Sequence, residues 1–524
     1  MLKYFLRRKI MAKENVKKKG IFDSFLNSIE VVGNKLPHPV TIFLILVGIV
    51  VVVSEIVART GEPITYYDAK AKKDVTVQVI SLLNAEGIRF MFNSAVNNFT
   101  TYAPLGTVLF AMLGVGLAEE VGLINAVLKK VVLSTPKRFI TAVVVLMGVM
   151  SNIAADAGYI VLVPLGAIVF LSFGRHPIAG LAAAFAGVSG GFSANLLIGT
   201  LDPLLAGITN EAIKVGGSDL TIQPTANYYF LFVSTFLLTI VGTIVTERII
   251  EPRLGEYKGT HTTDSMDLST EEKKGLRAAG LAMLVFIIVM AFLTIPPDAI
   301  MKTAKEEGAV KTLNEYMHAG FIPTITLFFL LPAIAFGVAA GKIKNDKDVV
   351  KGVSKAMNTM GSFLVLAVTS SQFINLFNYT KLGTLLAING ANFLESVGFT
   401  GFPLILAFII VSAFINLFIG SASAKWAIMA PVFIPMLMRL GISPAFAQLA
   451  YRIGDSSTNI ISPLMTYFAV IITFAQKYDE DAGIGTLISS MIPYSIAFLV
   501  SWTALLGVWY VIGLPIGPGA FIGM

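Results

Sequence analysis

The chain of 524 residues contains no cysteine. That absence excludes a disulfide framework, a thiolate metal site and a cysteine nucleophile together. Histidine is nearly as scarce. Its four copies (His38, His176, His261 and His318) are far apart and form no HExxH pair, which argues against a histidine-built zinc site. Charge is low as well: 14% of residues are Asp, Glu, Lys or Arg, against about 25% in an ordinary soluble protein. No GxxxxGK[ST] loop occurs, so ATP is not the expected direct energy source. The string Gly187-Val188-Ser189-Gly190-Gly191 has no nearby histidine partner and is no nucleophile elbow.

What the chain has instead is apolar length. Residues of the AVILMFWYC set make up 55%, and mean hydropathy is +0.77. A hydrocarbon core about 30 Å thick needs roughly 20 apolar residues per helix. Such runs occur at 40–57, 103–122, 226–246, 279–296, 321–341, 361–378 and 488–512. No alternating pattern of the outer-membrane barrel type is present. The expected fold is an all-α polytopic membrane protein.

The net charge of +7 is placed where a membrane protein needs it, which argues against nucleic acid as the partner. Residues 1–20 hold eight Lys/Arg against one acid, Glu14. That composition fits a cytoplasmic end facing anionic lipid. With the N-terminus inside, the expected cytoplasmic segments carry 26 of the 39 Lys/Arg and the outer ones 11. This bias places the N-terminus of a multi-pass membrane protein on the cytoplasmic side and the C-terminus outside.

Two further regions, 139–212 and 402–474, are apolar but interrupted by Gly, Pro, Ser, Asn and charges. Irregular backbone at membrane depth is tolerated only where protein or a water-filled cavity satisfies it. Each region therefore reads as a re-entrant hairpin (139–172 and 402–440) followed by a broken helix (177–212 and 444–474). The layout becomes a basic N-terminus over 1–36, a first half over 37–246, a polar linker over 247–278 and a second half over 279–524, with nine crossings and two hairpins. Ser269 to Glu272 in the linker spells a capping box that opens a helix. The two regions also match each other. Pro164 and Pro177 align with Pro431 and Pro444 at an offset of 267, and Ser193-Ala194-Asn195 aligns with Ser457-Thr458-Asn459 at 264. One hairpin enters from each side, so the halves form an inverted-topology repeat, and such repeats place transport sites near mid-membrane.

Polar groups at that depth are functional candidates. They are Ser151, Asn152 and Asp156 at the first hairpin and Ser193, Asn195, Thr200 and Asp202 at the first break. The second hairpin offers Ser421, Ser423, Lys425 and Trp426, and the second break Arg452, Asp455, Ser457 and Asn459. Ser and Asn oxygens suit a hard cation such as Na⁺, which makes Ser151, Asn152, Ser193, Asn195, Ser457 and Asn459, with Asp455, coupling-ion candidates; they equally suit capping of broken helices. Arg452 and Asp455 are three apart, which allows a self-neutralising pair on one helix face. The alternative is that Arg452 takes a substrate carboxylate through its planar fork while Asp455 carries a proton or helps hold a cation. Trp426 offers an aromatic wall or simple packing, and Asp202 is a second proton-carrier candidate.

Four strings resemble the p-aminobenzoyl-glutamate transporter family: SNIAADAGYIVLVPLGA at 151–167, SANLLIGTLDPLLAG at 193–207, SASAKWAIMAPVFIPM at 421–436 and YRIGDSSTNIISPLMTYF at 451–468. The resemblance implies a homodimeric inner-membrane carrier with nine spans and two hairpins per subunit. It implies movement of p-aminobenzoyl-glutamate, a folate breakdown product, or export of sulfonamide-type antimetabolites. The family's important residues map onto Asp202, Ser423, Trp426, Pro444, Arg452, Asp455 and Pro463. The chain is also similar to divalent-anion:sodium symporters, although its elements here read Ser151-Asn152-Ile153 and Ser457-Thr458-Asn459 rather than Ser-Asn-Thr.

The expected function is an ion-coupled secondary transporter, driven by Na⁺ or H⁺ without a cofactor, that takes an anionic aromatic substrate by alternating access. A dicarboxylate or short-chain-acid carrier on the same fold is the first rival. An intramembrane enzyme using Asp202 and Asp455 as a catalytic pair is the second, and it leaves the paired Ser-x-Asn breaks without a role.

Overall fold

The computed structural model describes residue 37 and residues 39–524, except 69–72, 155–157, 258, 260–267, 304–310, 312, 314–315, 317–319, 359, 463–464, 466, 481 and 483. The N-terminal segment 1–36, Asp156 and Pro463 therefore lie outside the described residues. The described residues are predominantly helical, because continuous apolar runs satisfy their backbone internally only as helices when water is absent. The spans read from sequence appear as Pro39–Thr60, Ala103–Glu120, Tyr228–Val245, Thr270–Thr294, Phe321–Ala339, Gly361–Tyr379 and Ile484–Ile512. Among the described residues, six helices are long and apolar enough to cross a bilayer individually. Two bent pairs qualify jointly, Leu123–Val132 with Lys137–Ser151 at 114° and Asp346–Asn358 with Phe363–Tyr379 at 48°. The Ser269 capping box forms: the Ser269 hydroxyl accepts from the Glu272 backbone at 3.0 Å, and the Glu272 carboxylate accepts from the Ser269 backbone at 2.8 Å.

One short β ribbon accompanies the helices among the described residues. Ile64–Asp68 and Lys73–Val77 form an antiparallel two-stranded ribbon, with Ile64 opposite Val77 and Asp68 opposite Lys73. The β-branched and aromatic run Ile64-Thr65-Tyr66-Tyr67 favours a strand once it has left the bilayer.

Both interrupted regions are broken. In the first, Ile140–Ser151 ends in a short 3-10 turn at Asn152–Ala154, and Val163–Ser172 returns against it. Pro177–Phe185 then loosens through a π turn at Ala186–Gly190, the backbone is non-helical over 191–200, and Leu201–Val215 resumes. In the second, Gly401–Asn416 and Ala422–Arg439 flank a non-helical 417–421, and Pro444–Asn459 precedes Phe468–Gln476. The second break starts at Ile460, so Arg452, Asp455 and Ser457 lie on intact helix rather than unwound chain.

Small residues let these elements approach closely, as in membrane helix pairs generally. A Cβ on Gly148 would stand 2.8 Å from the Gly187 Cα, and one on Gly454 would stand 2.5 Å from the Ile409 carbonyl oxygen. Pro444–Asn459 is buried along its whole length, held between Gly401–Asn416 and Ile484–Ile512.

Candidate functional site

A cavity of about 330 Å³ lies where the interrupted elements meet. Asn152 comes from the first hairpin, Thr200 from the first break, Ser421 and Ser423 from the second hairpin, and Asn459 from the end of the second broken helix. Tyr159, Phe192, Phe363 and Tyr467 provide aromatic walls. Tyr159 and Tyr467 stack with centroids 4.8 Å apart and ring planes within 7°. The lining pairs neutral oxygen and amide groups with aromatic faces, a combination that receives an aromatic ring carrying polar substituents.

Beside this cavity are two buried ion pairs, and neither is the local one. Arg452 and Asp455 do not pair with each other. The Arg452 Nη1 lies 2.7 Å from Asp202 Oδ1, 250 positions earlier in sequence. The two atoms are in ion-pair contact without hydrogen-bond alignment. Asp202 sits in the first turn of Leu201–Val215, where a carboxylate favours the helix N-terminus, and its other oxygen accepts from the Gly199 backbone at 2.8 Å. Arg452 also donates to the Ser193 carbonyl at 3.3 Å, and the Ser193 N–H donates to Ser456 at 3.1 Å. The unwound stretch is thereby tied to the second-half helix.

Asp455 instead receives Lys425, whose ammonium also donates to the Asn416 side-chain carbonyl. Lys425 is completely buried and Asp455 is 1% exposed. The Asn416 amide nitrogen faces the Asp455 carbonyl at 2.6 Å, Thr458 Oγ1 at 2.9 Å and Asn459 Oδ1 at 2.8 Å. These contacts fasten the second hairpin to the end of Pro444–Asn459.

Trp426 does not line the cavity; of its two readings, an aromatic wall or simple packing, it takes the packed one. It is fully buried and stacked on Tyr451, with centroids 4.4 Å apart. Its indole N–H donates to Thr209 at 2.9 Å, Thr209 donates to Gln448 at 2.6 Å, and Gln448 donates to Asn227 at 2.8 Å. Its neighbours fix it because a buried indole N–H needs an acceptor. Tyr159, aligned with Trp426 at the offset of 267, is the aromatic that lines the cavity. Pro444 opens its helix at the first position, behind the Ser443 cap, away from the cavity.

The remaining polar candidates divide. Ser151 donates back to the Gly148 carbonyl at 2.7 Å, and Ser457 to the Ile453 carbonyl at 2.6 Å, so both hydroxyls are used by their own helices. Asn195 accepts from the Leu197 backbone at 3.2 Å. By contrast Asn152 Oδ1, Ser193 Oγ and Asp455 Oδ2 are buried oxygens with no hydrogen-bond partner. Among the described residues no group of three or more His, Asp or Glu converges as a metal site.

The AbgT putative transporter family matches over residues 24–524. The chain belongs to that family. Its members are transporters and not enzymes. The chain is 38% identical to the p-aminobenzoyl-glutamate transport protein of Escherichia coli K12, covering 94% of this chain and 96% of that protein. It resembles the crystal structure of the Alcanivorax borkumensis YdaH transporter, described as having an unusual topology, with a TM-score of 0.86 and 41% identity; 92% of this chain and all of that one are covered. It also resembles Neisseria gonorrhoeae MtrF, described as illuminating a class of antimetabolite efflux pumps, with a TM-score of 0.88 and 44% identity; 95% of this chain and all of that one are covered.

For this AbgT-family chain the site has more members than the sequence marked. Asn416, a lone amide ending an apolar run, and Tyr451, which opens the 451–468 string, were not singled out. Lys425 carried a signal, a lone cation in an apolar hairpin, but its partner is 30 positions away.

Proposed function

We propose that the chain is an ion-coupled secondary transporter of p-aminobenzoyl-glutamate, of sulfonamide-type antimetabolites, or of both, working by alternating access. The observation that carries this reading is the cavity shared by both interrupted regions, with amide and hydroxyl groups from each and aromatic walls between them. In this reading nine crossings and two re-entrant hairpins form an inverted repeat, the N-terminus is cytoplasmic, the C-terminus is outside, and two subunits associate. Ser423 contacts substrate directly, while Asp202, Arg452 and Asp455 are the charges that rearrange. The Arg452–Asp202 pair joins the halves in this state, and its release frees Arg452 for a substrate carboxylate. Trp426 and Pro444 position these groups. Asn152 Oδ1 and Asp455 Oδ2, buried and unpartnered, are oxygens of the kind that receive Na⁺ or, at Asp455, a proton. The cation and the aromatic anion are cargo, and no cofactor is required.

The test is uptake of labelled p-aminobenzoyl-glutamate into proteoliposomes with Na⁺ and pH gradients imposed separately. Saturable uptake that follows one gradient is expected. Flux proportional to concentration and indifferent to both gradients would make the protein a channel. Product formation would make it an enzyme. Counterflow with succinate but not with p-aminobenzoyl-glutamate would make it a dicarboxylate carrier.

A further inference from the structure

A second cavity system lies away from the polar site. One apolar crevice of about 480 Å³ is walled by Leu128, Met147, Ile153, Leu276, Met283 and Phe329 among others. Another, of about 400 Å³, includes Ile198, Tyr228, Tyr229 and Ile325. The two share Leu197, Phe328 and Phe329 as common walls. Together they separate the helix pair Thr270–Thr294 and Phe321–Ala339 from the first hairpin and first break. Both volumes are within the size range of small-ligand sites.

The polarity along this trough is ordered. Among the described residues Lys130 is the one charged group lining the 480 Å³ crevice. Arg277 follows the lining residue Leu276, Lys273 and Lys274 precede it, and all three are exposed at that end of the helix. Among the described residues no carboxylate lines either crevice; Glu272, at the same end of the helix, is already paired with Lys129 at 3.2 Å. The other crevice carries two tyrosines, whose amphipathic rings suit the membrane–water interface. Cations at one mouth, hydrocarbon through the middle and tyrosines at the other mouth match phospholipid, and basic recesses between transmembrane helices hold anionic headgroups.

We propose that this trough binds an anionic phospholipid, with its headgroup phosphate at Lys130 and Arg277 and an acyl chain running past Met283 to Leu197. Leu197 is 38% exposed and belongs to the non-helical 191–200 stretch. The same stretch holds Ser193, whose carbonyl accepts from Arg452. The bound chain therefore presses on the backbone beside the cross-half ion pair, which makes the lipid a structural ligand of the transport site. The inference is independent of which solute is carried.

The chain's lack of cysteine makes the test direct. Gly280 lines the crevice, and a Cβ there meets nothing within 4 Å, so Gly280→Cys is tolerated. The variant, labelled with a benzophenone maleimide, is reconstituted in phosphatidylcholine containing phosphatidylglycerol and photolysed. The expected product is a phosphatidylglycerol adduct enriched severalfold over its share of the vesicle lipid. Lys130→Ala with Arg277→Ala returns the adduct to the bulk ratio. Native mass spectrometry of the unsubstituted protein is expected to retain phosphatidylglycerol, and Gly280→Trp to release it. Adducts at the bulk ratio in the parent, or cross-linking to a second copy, would overturn the proposal.

Discussion

Arg452 and Asp202 stand 2.7 Å apart, both nearly inaccessible, and join the two halves of the chain next to a cavity to which both halves contribute. Removing one partner of a buried pair leaves an uncompensated charge and costs about 3–5 kcal/mol, whereas replacing both is far milder. Asp202→Asn and Arg452→Gln are each expected to lower the thermal midpoint in detergent by several degrees. The double variant is expected to recover most of that loss. Additive losses in this double-mutant cycle would mean that the two side chains are not coupled.

Lys425 and Asp455 obey the same logic at a more enclosed position. Lys425→Met alone strands the Asp455 carboxylate, and Asp455→Asn alone strands the ammonium. Each is expected to reduce the folded yield sharply, and the pair together is expected to restore folding without restoring transport. Fluorescence-detected size exclusion and proteoliposome uptake read the two effects separately.

Trp426 is packed rather than exposed, so its first effect is on stability. Trp426→Phe keeps the stack on Tyr451 and loses the hydrogen bond to Thr209, at a cost of about 1 kcal/mol. Trp426→Ala opens a large void and costs about 3–5 kcal/mol. Denaturation midpoints in the order wild type, Phe, Ala check this. An unchanged midpoint in Trp426→Ala would contradict the packed position.

Close backbone approach makes a comparable prediction. Gly454→Leu drives a side chain into the Ile409 carbonyl and is expected to destabilise by about 1–3 kcal/mol or more. Gly106 lies in the interior of a helix with no neighbour within 4 Å of an added Cβ. Gly106→Ala is therefore expected to be neutral or stabilising by up to about 1 kcal/mol. Thermal unfolding of both variants distinguishes a tight contact from a tolerant site.

His176 gives a pH dependence outside the membrane-spanning segments. Burial depresses its pKa below the ordinary histidine value, with Asp479 and Glu251 opposing that shift. Its Nδ1 caps the next helix by accepting from the Ile178 backbone at 3.3 Å, which the protonated ring cannot do. The folded state thus prefers neutral His176. The sign is that stability is full above the unfolded histidine pKa and declines as pH falls through it toward the lower folded value. Thermal midpoints are expected to fall between about pH 7 and pH 5, and His176→Asn, which caps at any pH, is expected to flatten that fall.

Much of the architecture was legible in the sequence. The runs 103–122, 226–246, 321–341 and 361–378 became helices within a few residues of those limits, because a bilayer leaves apolar chain few alternatives. Gly, Pro, Ser and Asn likewise marked both interruptions. The pairing of charges was not legible. Sequence spacing favours Asp455 as the partner of Arg452, but tertiary packing turns Arg452 toward the first half and Asp455 toward Lys425. The ribbon at Ile64–Val77 and the helix Leu382–Ser396 were also missed, since periodicity is weak in short segments between spans. Trp426 and Tyr159 are 267 positions apart, the offset at which the two interrupted regions match in sequence, and only the packing shows that Tyr159 and not Trp426 lines the cavity.

The most direct test of the central claim, that cargo occupies the cavity shared by both interrupted regions, is substrate protection of single introduced cysteines in this cysteine-free chain. Ser423→Cys and Thr200→Cys, one from each half, are treated with a small water-soluble maleimide with and without p-aminobenzoyl-glutamate. Val511→Cys, exposed and remote, serves as control. The account predicts that substrate slows labelling at both cavity positions and leaves Val511→Cys unchanged. Equal labelling rates with and without substrate at Ser423→Cys and Thr200→Cys would contradict it.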